Sequence, residues 1–262
     1  MEKFVGFNAK KRSFFCNPYA SGHKARLKNF VCLCNFFGNL CGIVEIEIVI
    51  EMYFIRKELY FPPVEEANDD GILAVGGDLS PERLMLAYRS GIFPWFEDDE
   101  PILWWSPEYR MVVFPEEFTV SKSMRNILNR NIFKVTFNQN FREVISNCSS
   151  IKRDGQQGTW ITNEMIEAYC KLNELGFAKS IEVWQDDILV GGLYGIDLGG
   201  GTVFCGESMF SKVSNASKVA FISLVNKLKA ENYKLLDCQV HNDHLENLGA
   251  REITRDDFMK IL

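Results

Sequence analysis

Apolar and polar positions in the second half of the chain switch between two periods. Residues 180–184 and 188–196 form short apolar or alternating runs separated by Gln185-Asp-Asp187, which reads as two strands and a tight turn. Leu198-Gly-Gly-Gly201 then turns the chain into a third short strand, 202–205. A helical period takes over from about Asn215 to Glu231, followed by an apolar strand, 234–240. Asn242 opens a short helix ending at Gly249, and Thr254 with Asp257 three residues on reads as the capping box of a last helix. Upstream, a helix capped by Thr162 ends at Gly176, and shorter ones fit 122–129 and 140–147. Ser80-Pro81 predicts a helix start, hydroxyl cap then proline, with Gly91 closing that helix. The glycines of 71–78 mark tight turns. Strand, strand, strand, helix, strand, helix is an α+β layout, a sheet with helices packed against it.

The first 51 residues break this pattern. They carry four of the eight cysteines and seven Lys or Arg against four Glu. Their apolar run from Phe30 to Val44 is interrupted by Asn35 and Asn39, too short and polar for a membrane span and without a good signal cleavage site. They read as an extension outside the fold, with Met52 as the natural start. Over the whole chain the net charge is −6, which argues against a generally basic nucleic-acid binder. The cysteines, with no CxxC pair, suggest reduced cytoplasmic thiols.

Chemistry concentrates in a few places. In 204–211 a single carboxylate, Glu207, is enclosed by Phe204, Cys205, Met209 and Phe210, surroundings that disfavour a charge. Asp237 and Gln239, two apart on one strand, are expected to share a face and to hold an amine, with Cys238 turned away. Cys238, His241 and His244 have the types for a metal site or a thiol–histidine pair, but the expected alternation works against both. Three of the five tryptophans fall in the proline-rich stretch 92–107, suited to a ligand surface. Seven cations between Lys122 and Arg153 face one acid, Glu143, and form a candidate phosphate-backbone contact. The segment GGDLSP lacks the Lys-Ser/Thr of a nucleotide P-loop, and Ser211-Lys-Val-Ser-Asn-Ala-Ser217 lacks the glycines of a pyrophosphate loop.

Six separated motifs then coincide in order and spacing: Phe93-Pro-Trp-Phe96, Leu103-Trp-Trp-Ser-Pro107, Gly158-Thr-Trp-Ile-Thr162, Gly191-Gly-Leu-Tyr-Gly195, residues 204–211, and Asp237-Cys-Gln239. From about Tyr53 onward the chain resembles the bacterial leucyl/phenylalanyl-tRNA–protein transferases. Leu193 stands where that family often has Met. The resemblance implies a small N-terminal α+β domain, taken as 52–115, and an acetyltransferase-like (GNAT-like) catalytic domain, 116–262. It implies a cytoplasmic, monomeric enzyme that moves Leu or Phe from leucyl- or phenylalanyl-tRNA to the α-amine of proteins beginning with Arg or Lys, marking them for degradation. No metal or cofactor is implied. By analogy Asp237 and Gln239 hold and polarise the amine, and Glu207 orders the pocket. Trp95, Trp160, Leu193, Phe204 and Leu236 surround the aminoacyl side chain and terminal adenosine, and Lys122, Arg125 and Arg130 meet the tRNA backbone.

Overall fold

The computed structural model describes residues 24–31, 46–98, 100–150 and 161–262, the backbone alone for 24–31 and 46–51. Two sheets organise them. The first has the order β1-β2-β3-β5-β4, with β1 (Lys24–Val31), β2 (Ile46–Ile55), β3 (Ile72–Gly76), β4 (Phe93–Pro94) and β5 (Leu103–Trp105). Helix α1 (Pro81–Arg89) packs on it. Gly71, Gly76 and Gly77 do have positive φ, but the apolar residues between them form β3. The predicted hydroxyl cap of α1 is absent: Ser80 makes no side-chain cap bond, and its own N–H donates to Asp78 Oδ1. Strand β2 runs through Met52, so backbone from the segment expected to stand outside the fold continues this sheet.

The second sheet has the order β12-β6-β11-β10-β9-β8-β7. Its members are β6 (Tyr109–Val113), β7 (Lys134–Phe137), β8 (Ala178–Gln185), β9 (Ile188–Asp197), β10 (Val203–Ser211), β11 (Leu235–Gln239) and β12 (Arg251–Thr254). β6 lies within 52–115, the stretch assigned to the N-terminal domain, yet it pairs with β11 and β12. The change of sheet therefore falls between β5 and β6. Strand β10 also continues well past the predicted end at Cys205, so Glu207 sits inside a strand rather than at its end.

Alternation along the central strands divides the core between two faces. Leu193, Phe204 and Leu236 face a cluster built on α5 (Ala216–Ala230) and α2 (Lys122–Asn129). Tyr194, Cys205 and Leu235 face α3 (Phe141–Ser150), α4 (Asn163–Glu174) and the first sheet's core. Two glycines of β9 make this packing possible. A Cβ on Gly191 would lie 2.5 Å from Ala216 Cβ, and one on Gly195 would lie 2.3 Å from the Cys205 carbonyl oxygen. The chain closes with α6 (Asp243–Glu246) and α7 (Arg255–Ile261), the latter capped by Thr254, whose hydroxyl accepts from Asp257 N–H at 3.2 Å.

Candidate functional site

Strands β10 and β11 run parallel for three residues only, Val203 to Cys205 against Leu235 to Asp237. At that level both are bulged. The β10–β9 register slips between Gly206 and Ser208, and the β11–β6 register slips between Asp237 and Gln239. A bulge inserts one extra residue and re-aims the side chains around it. Glu207 is that residue in β10 and Cys238 in β11. Gln239 then takes the left-handed region, φ 68°, which is rare for a residue with a Cβ.

These two irregularities bring Glu207 and Gln239 together. Gln239 Nε2 donates to Glu207 Oε1 at 2.8 Å, and Tyr169 Oη donates to Glu207 Oε2 at 3.1 Å. The Tyr169 hydroxyl is in turn hydrogen-bonded to that of Tyr88. Tyr88 comes from α1 and Tyr169 from α4, so both halves of the molecule support one carboxylate. Burial pushes the Glu207 carboxyl up to about 7; the tyrosine and glutamine bonds pull the other way, and the nearby Asp237 charge adds to the rise. Glu207 as a residue keeps some exposed surface, while its carboxyl group is enclosed by these partners.

On the α5 side Glu207 opens onto a cavity of about 70 Å³. Its walls are Leu193, Met209, Phe221, Leu224, Leu236 and Leu245, with Cys238 at one edge. Larger grooves occur elsewhere among the described residues, such as one of about 550 Å³ beside Leu59, Tyr60 and Met259. An apolar pocket with few convergent polar groups and one perturbed acid is the expected form of a small-group site.

Asp237 is placed differently from expectation. It points to the opposite face, fully buried, with both oxygens taken by Arg110: Nε to Oδ1 at 2.9 Å and Nη2 to Oδ2 at 2.8 Å. Asp237 and Gln239 do not share a face, because the bulge between them breaks the alternation. Cys238 shares the cavity side with Leu236. Burial pushes its thiol far above the usual range, which removes the thiolate a nucleophile needs. His241 gathers with Asp243 and Glu246, all exposed, and not with Cys238 or His244.

Of the residues predicted around the aminoacyl group, Leu193 and Leu236 line the cavity. Phe204 is buried in the cluster on the same face of the sheet. Trp95 is half-buried against Trp105, ring centroids 5.4 Å apart, and packs on the other core. Trp160, Lys152 and Arg153 lie outside the described residues. Lys122, Arg125 and Arg130 are exposed and have no ion-pair partner among the described residues. Arg142, by contrast, is held by Glu167 at 2.6 Å. Sequence reasoning missed Tyr88, Tyr169 and Arg110. A signal for Arg110 existed: an arginine amid the apolar run of β6 requires a buried carboxylate, and Asp237 stands in the equally apolar β11.

Residues 112–262 match the family described as leucyl/phenylalanyl-tRNA protein transferase, and residues 77–108 match its N-terminal domain. Over 211 residues, 80% of this chain, it is 71% identical to a leucyl/phenylalanyl-tRNA–protein transferase of Flavobacterium johnsoniae, covering 99% of that protein. Proteins of the same name from Flavobacterium psychrophilum and Christiangramia forsetii are 66% and 58% identical over the same length, covering 99% and 100% of those proteins. Among solved structures, a GCN5-related N-acetyltransferase from Kribbella flavida is similar at 9% identity and TM-score 0.35, over 65% of this chain and 60% of that one. With a family match across more than half its length, the chain belongs to the leucyl/phenylalanyl-tRNA protein transferase family.

Proposed function

We infer that this protein transfers Leu or Phe from aminoacyl-tRNA to the α-amino group of proteins beginning with Arg or Lys, which marks them for degradation. The observation that carries the reading is Glu207: one carboxylate, raised to about 7, on a residue that lines an apolar cavity. The aminoacyl side chain occupies that cavity, against Leu193, Leu236 and Phe221. The acceptor amine, with an ordinary pKa of ~8, stands at Glu207, which is close enough in basicity to exchange a proton with it. The amine nitrogen forms a bond to the ester carbonyl carbon, and the bond from that carbon to the terminal ribose oxygen breaks. The amine proton passes through Glu207 to the leaving ribose oxygen. Gln239 fixes the carboxylate in place, and the tyrosine hydroxyls keep its second oxygen paired.

The ester is already activated, so positioning supplies most of the rate and the reading needs neither metal nor cofactor. Lys122, Arg125 and Arg130 receive the tRNA backbone, and Trp95 and Trp160 belong to the surface for the terminal adenosine. No helix among the described residues is long and apolar enough to cross a membrane. A monomer in the cytoplasm completes the reading.

The test is transfer of labelled Leu or Phe from charged tRNA to Arg- and Lys-initiated peptides. Label should enter both peptides and not one beginning with Glu; no label in any peptide overturns the reading. Ile- and Val-charged tRNA should be poorer donors by about ten- to two-hundred-fold, the worth of a displaced methyl in an apolar pocket. Equal use of Ile would remove the cavity from the side-chain site.

A further inference from the structure

Arg110 of β6 is held from several sides. It is 2% exposed and lies between two phenyl rings, 4.7 Å from the Phe93 centroid and 4.6 Å from that of Phe258. Besides its two bonds to Asp237, its Nη1 donates to the Gly91 carbonyl at 3.1 Å, in the turn after α1. Three elements therefore hold the guanidinium: the Gly91–Phe93 turn, α7 and β11. Asp237 Oδ1 accepts a second bond, from the Gln239 backbone N–H at 2.8 Å. That bond spans the bulge and sits at the residue with φ 68°. A left-handed glutamine persists only where its surroundings over-determine it. Here the fixed carboxylate provides that constraint, and the side-chain amide of the same residue reaches Glu207.

We propose that Arg110 is a positioning residue of the transfer reaction, acting through Asp237 to hold Gln239 in the bulged, left-handed conformation that aims its amide at Glu207. Asp237 is then an anchor that takes no proton from the acceptor amine. Both its oxygens are occupied by Arg110, and it faces away from the cavity that Glu207 opens onto. Because Arg110 also grips the turn after α1, and Tyr88 of α1 supports Glu207 through Tyr169, docking of the first sheet's unit and alignment of the reacting groups are one event. The inference rests on the reading of Glu207 and Gln239 as transfer machinery.

The test compares Asp237→Asn, Arg110→Gln and the double variant with wild type, in the full chain. Melting curves, kcat, the KM for charged tRNA and the pH–rate profile are recorded for each. An asparagine keeps an oxygen for the Gln239 N–H, so an anchor survives the change whereas a proton acceptor does not. Asp237→Asn should retain kcat within about 30-fold, with KM and the pH profile in place; a general base is worth about 10²–10⁴. Arg110→Gln leaves a buried carboxylate without its counter-charge and should lower kcat about 100-fold at unchanged KM. Adding Asp237→Asn to it should recover at least about ten-fold. The idea is overturned by a folded Asp237→Asn or double variant that loses more than about 30-fold in kcat, or by a double variant no better than Arg110→Gln. If a single variant does not fold, the neutral double variant decides by the same threshold. Wild type inactive in the same assay sinks the proposed function and this inference with it, whereas active wild type with failing variants sinks the inference alone.

Discussion

Two carboxylates in the second sheet share a strand environment and have opposite fates. Glu182 of β8 is completely buried and receives four bonds: from Thr136 Oγ1 at 2.6 Å, Ser180 Oγ at 2.5 Å, and the Gln139 and Asn140 N–H groups at 3.2 Å each. The last two are backbone donors at the entry to α3, so this carboxylate pins a helix start to the sheet. Glu207 of β10 also sits among apolar neighbours, but its carboxylate has fewer donors and the residue lines a cavity. A carboxylate supplied with every donor it can use is part of the scaffold. One held by two fixed partners, with space left beside it, is available to a substrate.

The sharpest way to break this contrast is to remove each acid in turn. Glu182→Ala strands four donors at once, the Thr136 and Ser180 hydroxyls among them buried, and should cost about 3–5 kcal/mol of unfolding free energy, read from denaturant melts. Glu207→Gln should melt within about 1 kcal/mol of wild type yet lose most turnover. Equal stability losses in both would erase the distinction.

Much of the scaffold half of this contrast is legible in the sequence. Thr162 and Thr254 cap helices where their positions suggested, accepting from Met165 and Asp257 N–H. Lys122–Asn129 forms the expected helix to the residue. The site half was legible only in part. Glu207 and Gln239 stand out by type, but their meeting depends on two bulges that period-2 alternation cannot foresee. Glutamine gives no hint of a positive φ, and the tyrosines that complete the site arrive from helices 38 and more residues away. Asp237 was singled out as an amine-holding acid, but its pairing with Arg110 was not legible, because that partner lies 127 residues upstream.

A smaller effect is expected on the basic helix α2. Reversing Lys122 and Arg125 to Glu should raise the KM for charged tRNA severalfold and flatten its salt dependence, leaving a minimal aminoacyl-adenosine donor nearly unaffected. If both donors suffer alike, these cations serve folding or the acceptor. The smallest effect concerns the segment before Met52. The relatives align over 211 residues, as many as run from Met52 to Leu262. A chain starting at Met52 should match the full chain in transfer rate and melt within a few degrees. A large loss would mean that the strand pairing of β1 with β2 supports the enzyme.

The central claim, that Glu207 exchanges the proton of the acceptor amine, is tested most directly by the pH dependence of kcat/KM. With Leu-tRNA and an Arg-initiated peptide, wild type should rise through two ionisations, one near 7 for Glu207 and one near ~8 for the amine. Because the folded pKa of Glu207 is raised above its ordinary value, the carboxyl also favours folding while neutral, so stability should fall as pH rises from 4.5 to about 7 and then level. In Glu207→Gln the step near 7 should vanish from both curves, and the amine step should remain. A Glu207→Gln variant that keeps the lower ionisation and wild-type turnover contradicts the account.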